Sequence, residues 1–572
     1  SALTPASTMK AKSRSTACSS DSFSAALFDE YRPLAAVPLS RVTGVAHDGG
    51  RLPVEAIAEC LEIAGVTRRD IGGVAFSHGL FPSRYYTLPL TRRLGRRLRT
   101  IIGRVKHTNL AEECLRHGRE AAEAMIDTET LLGELGLGRH LPVRFYSRHT
   151  AYGLLPLFQT DWQEALLFTA DAGGDAVACD ARILRYGRLA SFFGEDDAAP
   201  KDGGEPVGRL IALAIEGLGL PDMAALVALS AYGEPMLAQA LLAHIHIDGE
   251  GRIRTDFEKE GGAAKWLRRL AEGHSPAVVA ASLQKMLEDV FGEAIGRLME
   301  RHGLRNLVLG GGLFANPRLL HSLIERLNPD GFAVHPDAGD LSLPLGGVLH
   351  FLQARDGMEE WLRRRRPFPD PPSGRDYGAD IDPVLGNAGC RLVSQDAVQA
   401  AAALLNAGKV VALYGRQAFG LRDHAERSVL FTAGEAGMAG AVNAQLDRPE
   451  MMPPVLYLQR QRASDLLETP FSAAAPARIA EPLAKIWRGR LPAAMAPDFL
   501  CLPHAADPDQ EPLLAAILDA YAELSGLPAI MGLPLQIGAG VPIDTPADAL
   551  RLLQEGRVDY IATEQAVWER GE

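Results

Sequence analysis

The chain has 572 residues, more than one hydrophobic core normally supports, so two or three domains are expected. Its 47 % apolar and 23 % charged residues are those of a soluble globular protein. A formal net charge of −12 excludes general affinity for nucleic acid, which needs basic surface to displace counterions, and no apolar run reaches the roughly 18 residues of a membrane helix.

In chain order, residues 1–20 are basic and rich in Ser and Thr. They lack the apolar stretch of a secretion signal and read as a disordered lead, with Met9 as a candidate natural start. The six cysteines (Cys18, Cys60, Cys114, Cys179, Cys390, Cys501) are scattered without a CxxC, as expected of free thiols in a reducing cytoplasm. The basic stretch 91–107 reads as a solvated helix. "ALLFTAD" (165–171) is a β-type run that ends in the acidic, glycine-bearing turn from Asp171 to Asp175. "HIH" (244–246) sits in an apolar run without further ligands and reads as a strand with one inward and one outward face. Residues 275–303 repeat apolar side chains at helical spacing, with Ser275 near the start and Gly303 at the stop, and predict a long amphipathic helix. "NLVLGGG" (306–312) is a second β-type run, and "HPDAGDLSLPLGG" (335–347) carries Asp337 and Asp340 on a third turn. Glycine lets backbone N–H groups approach a phosphate, and an acidic residue beside it can hold a cation. Three such turns suggest a nucleotide- or phosphate-handling cleft between two lobes, although a plain tight turn accounts for any one of them alone.

Residues 361–383 combine an arginine run with prolines and glycines, which neither a helix nor an inner strand tolerates, and predict a linker. Beyond it, 396–408 reads as helix and 409–415 as strand, and the pair recurs at 546–556 and 558–563. Strand–turn–helix alternation on both sides of the linker implies an α/β fold.

Taken in order, these stretches resemble the carbamoyltransferase family that includes the nodulation-factor and antibiotic O-carbamoyltransferases. The matching segments are 24–50, "EALLFTADAGGD" (164–175), "EPVGRLIALAIEGLGL" with "ALSAYGEP" (228–235), "VVAASLQ" (278–284), "LGGGLFAN" (309–316), 335–347, "VVALYGRQAFGLRDHAERSVL" (410–430) and "GVPIDTPADAL" (540–550). The resemblance implies a disordered lead (1–20), a large actin-like (ASKHA), Kae1-like domain (21–362), a linker (363–383) and a smaller YrdC-like α/β domain (384–572). It also implies nucleotide or phosphate binding at Arg416, Arg422, Arg427, Ser428, Gly311, Gly312 and Asn316, metal binding at Asp171 and Asp340, and catalysis at Asp340 and at the position of Asp21.

The departures fall where that chemistry would be. Asp21 (or Ser20, if one residue is inserted) stands where the family has a catalytic His, and Ala46 where it has Lys. Arg148 and Tyr152 replace the two metal-ligating histidines, with only His149 between them, and Ala224-Ala225 replace a Gly-Lys pair. In the small domain Ala418 replaces a Glu, "LPLQI" (533–537) replaces an Asn-rich loop, and an Arg-bearing segment has no counterpart near His504. Arginine does not deprotonate in a protein and cannot ligate a metal, so Fe(II) or another divalent ion is not expected. Instead, the Arg148 guanidinium is expected to bond Asp171 or Asp340, with Tyr152 alongside. The arginines of the small domain suit bidentate phosphate recognition, or else pair with Asp423 and Glu426.

The function implied is carbamoyl transfer from carbamoyl phosphate, through ATP and carbamoyl adenylate, to a hydroxyl of a small molecule or sugar. The alternative is a degenerate member that acts as a binding or regulatory subunit. The expected partners are that acceptor and a paralogous subunit or second copy, in the cytoplasm, without nucleic acid or membrane.

Overall fold

The computed structural model describes residues 14–19, 24–45, 52–86, 107–172, 177–194, 206–367, 374–415, 427–469, 479–494, 496–538 and 543–571. The large unit is built on two five-stranded sheets. The first contains β1 (Arg14–Ser19), β2 (Ser24–Asp29), β3 (Arg32–Pro38), β4 (Ile71–Ser77) and β5 (Val143–Tyr146), in the order β3-β2-β1-β4-β5. The second contains β6 (Ala165–Ala170), β7 (Cys179–Arg185), β8 (Arg188–Phe193), β9 (Asn306–Gly310) and β10 (Gly331–Val334), in the order β8-β7-β6-β9-β10. Each sheet starts with three antiparallel strands and then adds two parallel ones beside the first. The large unit is thus one topology used twice, the actin-like arrangement that the resemblance implies.

The two halves are held together by helices that follow equivalent strands. After β5 comes α1 (Arg148–Phe158), started by Ser147, whose hydroxyl accepts the Thr150 N–H at 3.1 Å. After β10 and the turn at 335–342 comes α3 (Leu343–Asp356). Between them in sequence lies α2 (Pro276–His302), begun by a Ser275 cap and stopped by Gly303 in the left-handed region at φ 62°. Every residue of α1 is buried, as in a helix that runs through a core rather than along its surface. Leu154 and Leu155 of α1 share one apolar cluster with Leu345, Val348 and Leu352 of α3. The crossing is close because Gly346 presents only hydrogen to the backbone of Ala151.

The second unit has its own nine-stranded sheet and two apolar clusters. Its strands are β11 (Arg391–Ser394), β12 (Val411–Tyr414), β13 (Arg427–Thr432), β14 (Val455–Gln459), β15 (Glu481–Pro482), β16 (Leu500–Ala506), β17 (Ala529–Pro534), β18 (Tyr560–Ala562) and β19 (Val567–Glu569). They run in the order β11-β19-β18-β12-β13-β17-β14-β16-β15. The units touch where the Ala480 N–H donates to the Pro317 carbonyl at 3.0 Å and Arg318 donates to Asp498 at 3.0 Å.

Two expectations need correcting. Residues 1–20 are not a structureless lead throughout, because Arg14–Ser19 is β1, paired on one side with β2 and on the other with β4. The linker does not extend to 383, because Gly378–Asn387 is a helix whose Ile381 and Leu385 join the core of the second unit. Parts of the lead and linker and nearly all of the basic stretch 91–107 lie outside the described residues. The HIH segment forms the short strand Ile245–Ile247 of a hairpin, with Ile245 buried and His246 exposed. Among the described residues no cysteine is joined in a disulfide, and no helix is long and apolar enough to cross a membrane.

Candidate functional site

The segments that follow β5, β6 and β10 meet in one cleft beyond the carboxyl ends of those strands, the usual position of a site in such α/β sheets. Arg148 is the first residue of α1, just past β5. Asp171 directly follows β6, and Asp340 lies in the 3-10 turn that leads into α3. Although 192 residues separate Arg148 from Asp340, an Arg148 Nη2 donates to Asp340 Oδ1 at 2.5 Å. Its Nη1 lies 3.5 Å from Asp171 Oδ2. The Tyr152 hydroxyl, one helical turn on from Arg148, makes a short hydrogen bond to the same Asp340 Oδ1 and a longer one, 3.3 Å, to Asp171 Oδ2. Asp171 Oδ1 accepts the Ala172 N–H at 2.7 Å. The Arg148 and Asp171 side chains are 11 % and 14 % exposed, whereas Asp340 at 40 % forms the open side of the cluster.

These residues do not fit a divalent cation. The two facing carboxylate oxygens are both engaged by a permanent cation and a phenol, and neither a guanidinium nor a protonated phenol is a metal ligand. His149, the one imidazole of the segment, faces away from the acids, with Nδ1 2.8 Å from Thr169 Oγ1 and Nε2 3.0 Å from the Val177 carbonyl.

Burial, and then the two neighbouring carboxylates, hold the Tyr152 phenol well above its ordinary value. Below about pH 10 this phenol is protonated in both the folded and unfolded chain, and its contribution to stability is complete. Above that pH the unfolded chain loses the proton first, so stability falls as pH rises. Tyr152→Phe should therefore flatten part of the alkaline limb of the stability curve; identical slopes above pH 10 for variant and wild type would refute this.

The other residues singled out in the sequence are placed less uniformly. Asp21, Arg416 and Arg422 lie outside the described residues. Arg427 is buried, with Nε donating to the Gly415 carbonyl at 2.8 Å and Nη1 to the Asp544 carbonyl at 3.1 Å, and its guanidinium lies 3.5 Å from the centre of the Tyr414 ring. Nε thus ties β13 back to the end of β12, and Nη1 fastens the pair to the chain at 544. Ser428 is also buried and shares a 2.7 Å hydrogen bond with the Tyr457 hydroxyl. Asn316 serves as a helix cap. Its side-chain oxygen accepts the Arg318 and Leu319 N–H groups at the start of the helix Pro317–Leu327, and its amide donates to Gln284 at 2.7 Å. The Gly311 N–H is likewise engaged, by the Ala338 carbonyl at 2.9 Å, and Gly312 packs beside the Asp171 carboxylate, which would repel a phosphate.

The sequence reading missed a cavity of about 510 Å³ between the two units, lined among others by Met223, Val227, Arg318, Met451, Met452 and His504. The run Met451-Met452-Pro453-Pro454 was its one signal, since methionine fills irregular apolar surfaces. Ala224 also lines it, whereas its neighbour Ala225 is fully buried behind this wall.

Comparison with known proteins matches residues 402–570 to the family described as the carbamoyltransferase C-terminus, and residues 237–346 to the second subdomain of the carbamoyltransferase Kae1-like domain. An uncharacterized protein of Methanocaldococcus jannaschii is 24 % identical over 475 residues, 76 % of either chain. The nodulation protein NolNO of Sinorhizobium fredii is 23 % identical over 466 residues, 78 % of this chain and 64 % of that protein. A tRNA N6-adenosine threonylcarbamoyltransferase of Synechococcus is 31 % identical over 164 residues, 28 % of this chain and 43 % of that enzyme. Among solved structures, HypF of T. kodakarensis overlaps 61 % of this chain and 49 % of its own, with 13 % identity and a TM-score of 0.35.

Proposed function

This chain is a divergent member of the carbamoyltransferase family, and from that premise we propose that it handles carbamoyl groups. In this reading one water hydrolyses carbamoyl phosphate to carbamate and inorganic phosphate, and the carbamate oxygen attacks the α-phosphorus of ATP with loss of pyrophosphate, forming carbamoyl adenylate. A hydroxyl of a small molecule or glycan then bonds the carbonyl carbon, and AMP leaves. The observation that carries the reading is the presence of both family matches, 237–346 and 402–570, in one chain and in that order. A formal net charge of −12 favours a small-molecule or sugar acceptor over a nucleic acid. The test is exchange of labelled pyrophosphate into ATP: folded protein should catalyse it only when carbamoyl phosphate is present, and no exchange with both substrates supplied would overturn the reading.

A specific observation favours a second reading. Arg148 and Tyr152 occupy the acid pair of the cleft, and Asn316 and Gly311 are committed to structural bonds. A degenerate member that binds ligand and regulates an active paralogue would tolerate the replacements at Arg148 and Tyr152. Exchange that appears only after the paralogue is added would select this reading.

A further inference from the structure

We infer that Arg148 is a built-in cation standing where a metal ion would bridge Asp171 and Asp340, so that this acid pair works as a metal-free, internally charge-matched site. The inference rests on the geometry of the cleft and holds whether or not the chain turns over carbamoyl groups.

A divalent ion held by the two acids would need the oxygens that face each other, Asp340 Oδ1 and Asp171 Oδ2. The same guanidinium and the same phenol engage both. A carboxylate accepts along its lone pairs, and the directions an ion would use are already taken by N–H and O–H groups. The ion would also lie against a fixed positive charge whose side chain is only 11 % exposed.

Nor can the guanidinium easily move aside. Arg148 begins a helix buried along its whole length, capped by Ser147 and locked against α3 where Gly346 meets Ala151. His149, which directly follows Arg148, is tied to Thr169 and Val177 and supplies no imidazole to the acids. Among the described residues no group of three or more His, Cys, Asp or Glu side chains is arranged to hold a metal ion. What remains for a ligand entering the cleft is the open edge of Asp340, a carboxylate oriented by two donors and able to accept from a hydroxyl.

The experiment uses the full chain and Co(II), whose d–d absorption reports bound geometry. Wild-type protein dialysed against millimolar Co(II) should hold no equivalent that Asp340→Asn removes. The double variant Arg148→His/Tyr152→His should gain one equivalent of Co(II) with d–d bands, and adding Asp171→Asn should abolish it. A wild-type equivalent sensitive to Asp340→Asn would overturn the inference, and so would a double variant that is folded by circular dichroism yet gains no Co(II). If the double variant does not fold, the wild-type arm decides alone. Failure of pyrophosphate exchange, by contrast, bears on the proposed function and leaves the metal result standing.

Discussion

Gly346→Ala should destabilise the large unit by about 3 kcal/mol or more, at the upper end of what overpacking usually costs. A Cβ at this position would lie 2.2 Å from the Ala151 carbonyl oxygen and 2.6 Å from its carbon. These are backbone atoms of a fully buried helix, so no side chain can rotate away to make room. The strain can be relieved only by separating α1 from α3, and those two helices carry Arg148 and, just ahead of α3, the Asp340 turn. The variant should therefore lower the urea midpoint and loosen the Arg148–Asp340 contact together. Gly217→Ala is the matched control, because a Cβ there meets nothing within 4 Å, and it should be neutral or slightly stabilising. Equal midpoints for the two variants would show that the helices are not packed as described.

Arg148→Ala should cost roughly 2–4 kcal/mol, because it leaves two carboxylates facing each other without their cation. The exposure of Asp340 places the loss toward the lower end, since water can solvate that carboxylate in part. Arg148→Lys should fall between wild type and Ala: an ammonium supplies the charge but not a fork that reaches both acids. Adding Asp171→Asn to Arg148→Ala should recover part of the loss by removing one of the two like charges. That gives a double-mutant cycle whose coupling energy measures the pair directly. A zero coupling, or an Arg148→Ala protein as stable as wild type, would mean that the guanidinium is not what balances the acids.

Local features were legible wherever one short segment contains its own cause. The helix Pro276–His302 was readable because its apolar spacing, its Ser275 cap and its Gly303 stop all lie within 29 consecutive residues. β6 and β9 were readable because parallel strands buried on both faces are continuous apolar runs. Arg14–Ser19 was not, since its six residues show no apolar alternation and become a strand only between two partners, one of which is more than fifty residues away. The helix Gly378–Asn387 was hidden by its glycines and Pro383, which tertiary packing of Ile381 and Leu385 overrides. Asn316 follows glycines on a strand end, as a phosphate ligand might, but a side-chain oxygen two or three residues ahead of free N–H groups is first of all a helix cap.

The residue types at the cleft, two acids and an arginine and tyrosine in place of imidazoles, are properties of the sequence by itself, and they already excluded half of a metal's ligand set because guanidinium cannot ligate. Sequence also determined the α/β class on both sides of the break near 370, through periodicities that each segment carries alone. Only the tertiary structure decided that one topology is used twice, since hydrogen-bonded strand order leaves no trace in side-chain spacing. It alone decided where Arg148 points. A charge can neutralise acids 23 and 192 residues distant only after two helices have crossed closely enough, at a glycine, to bring their first turns into one cleft.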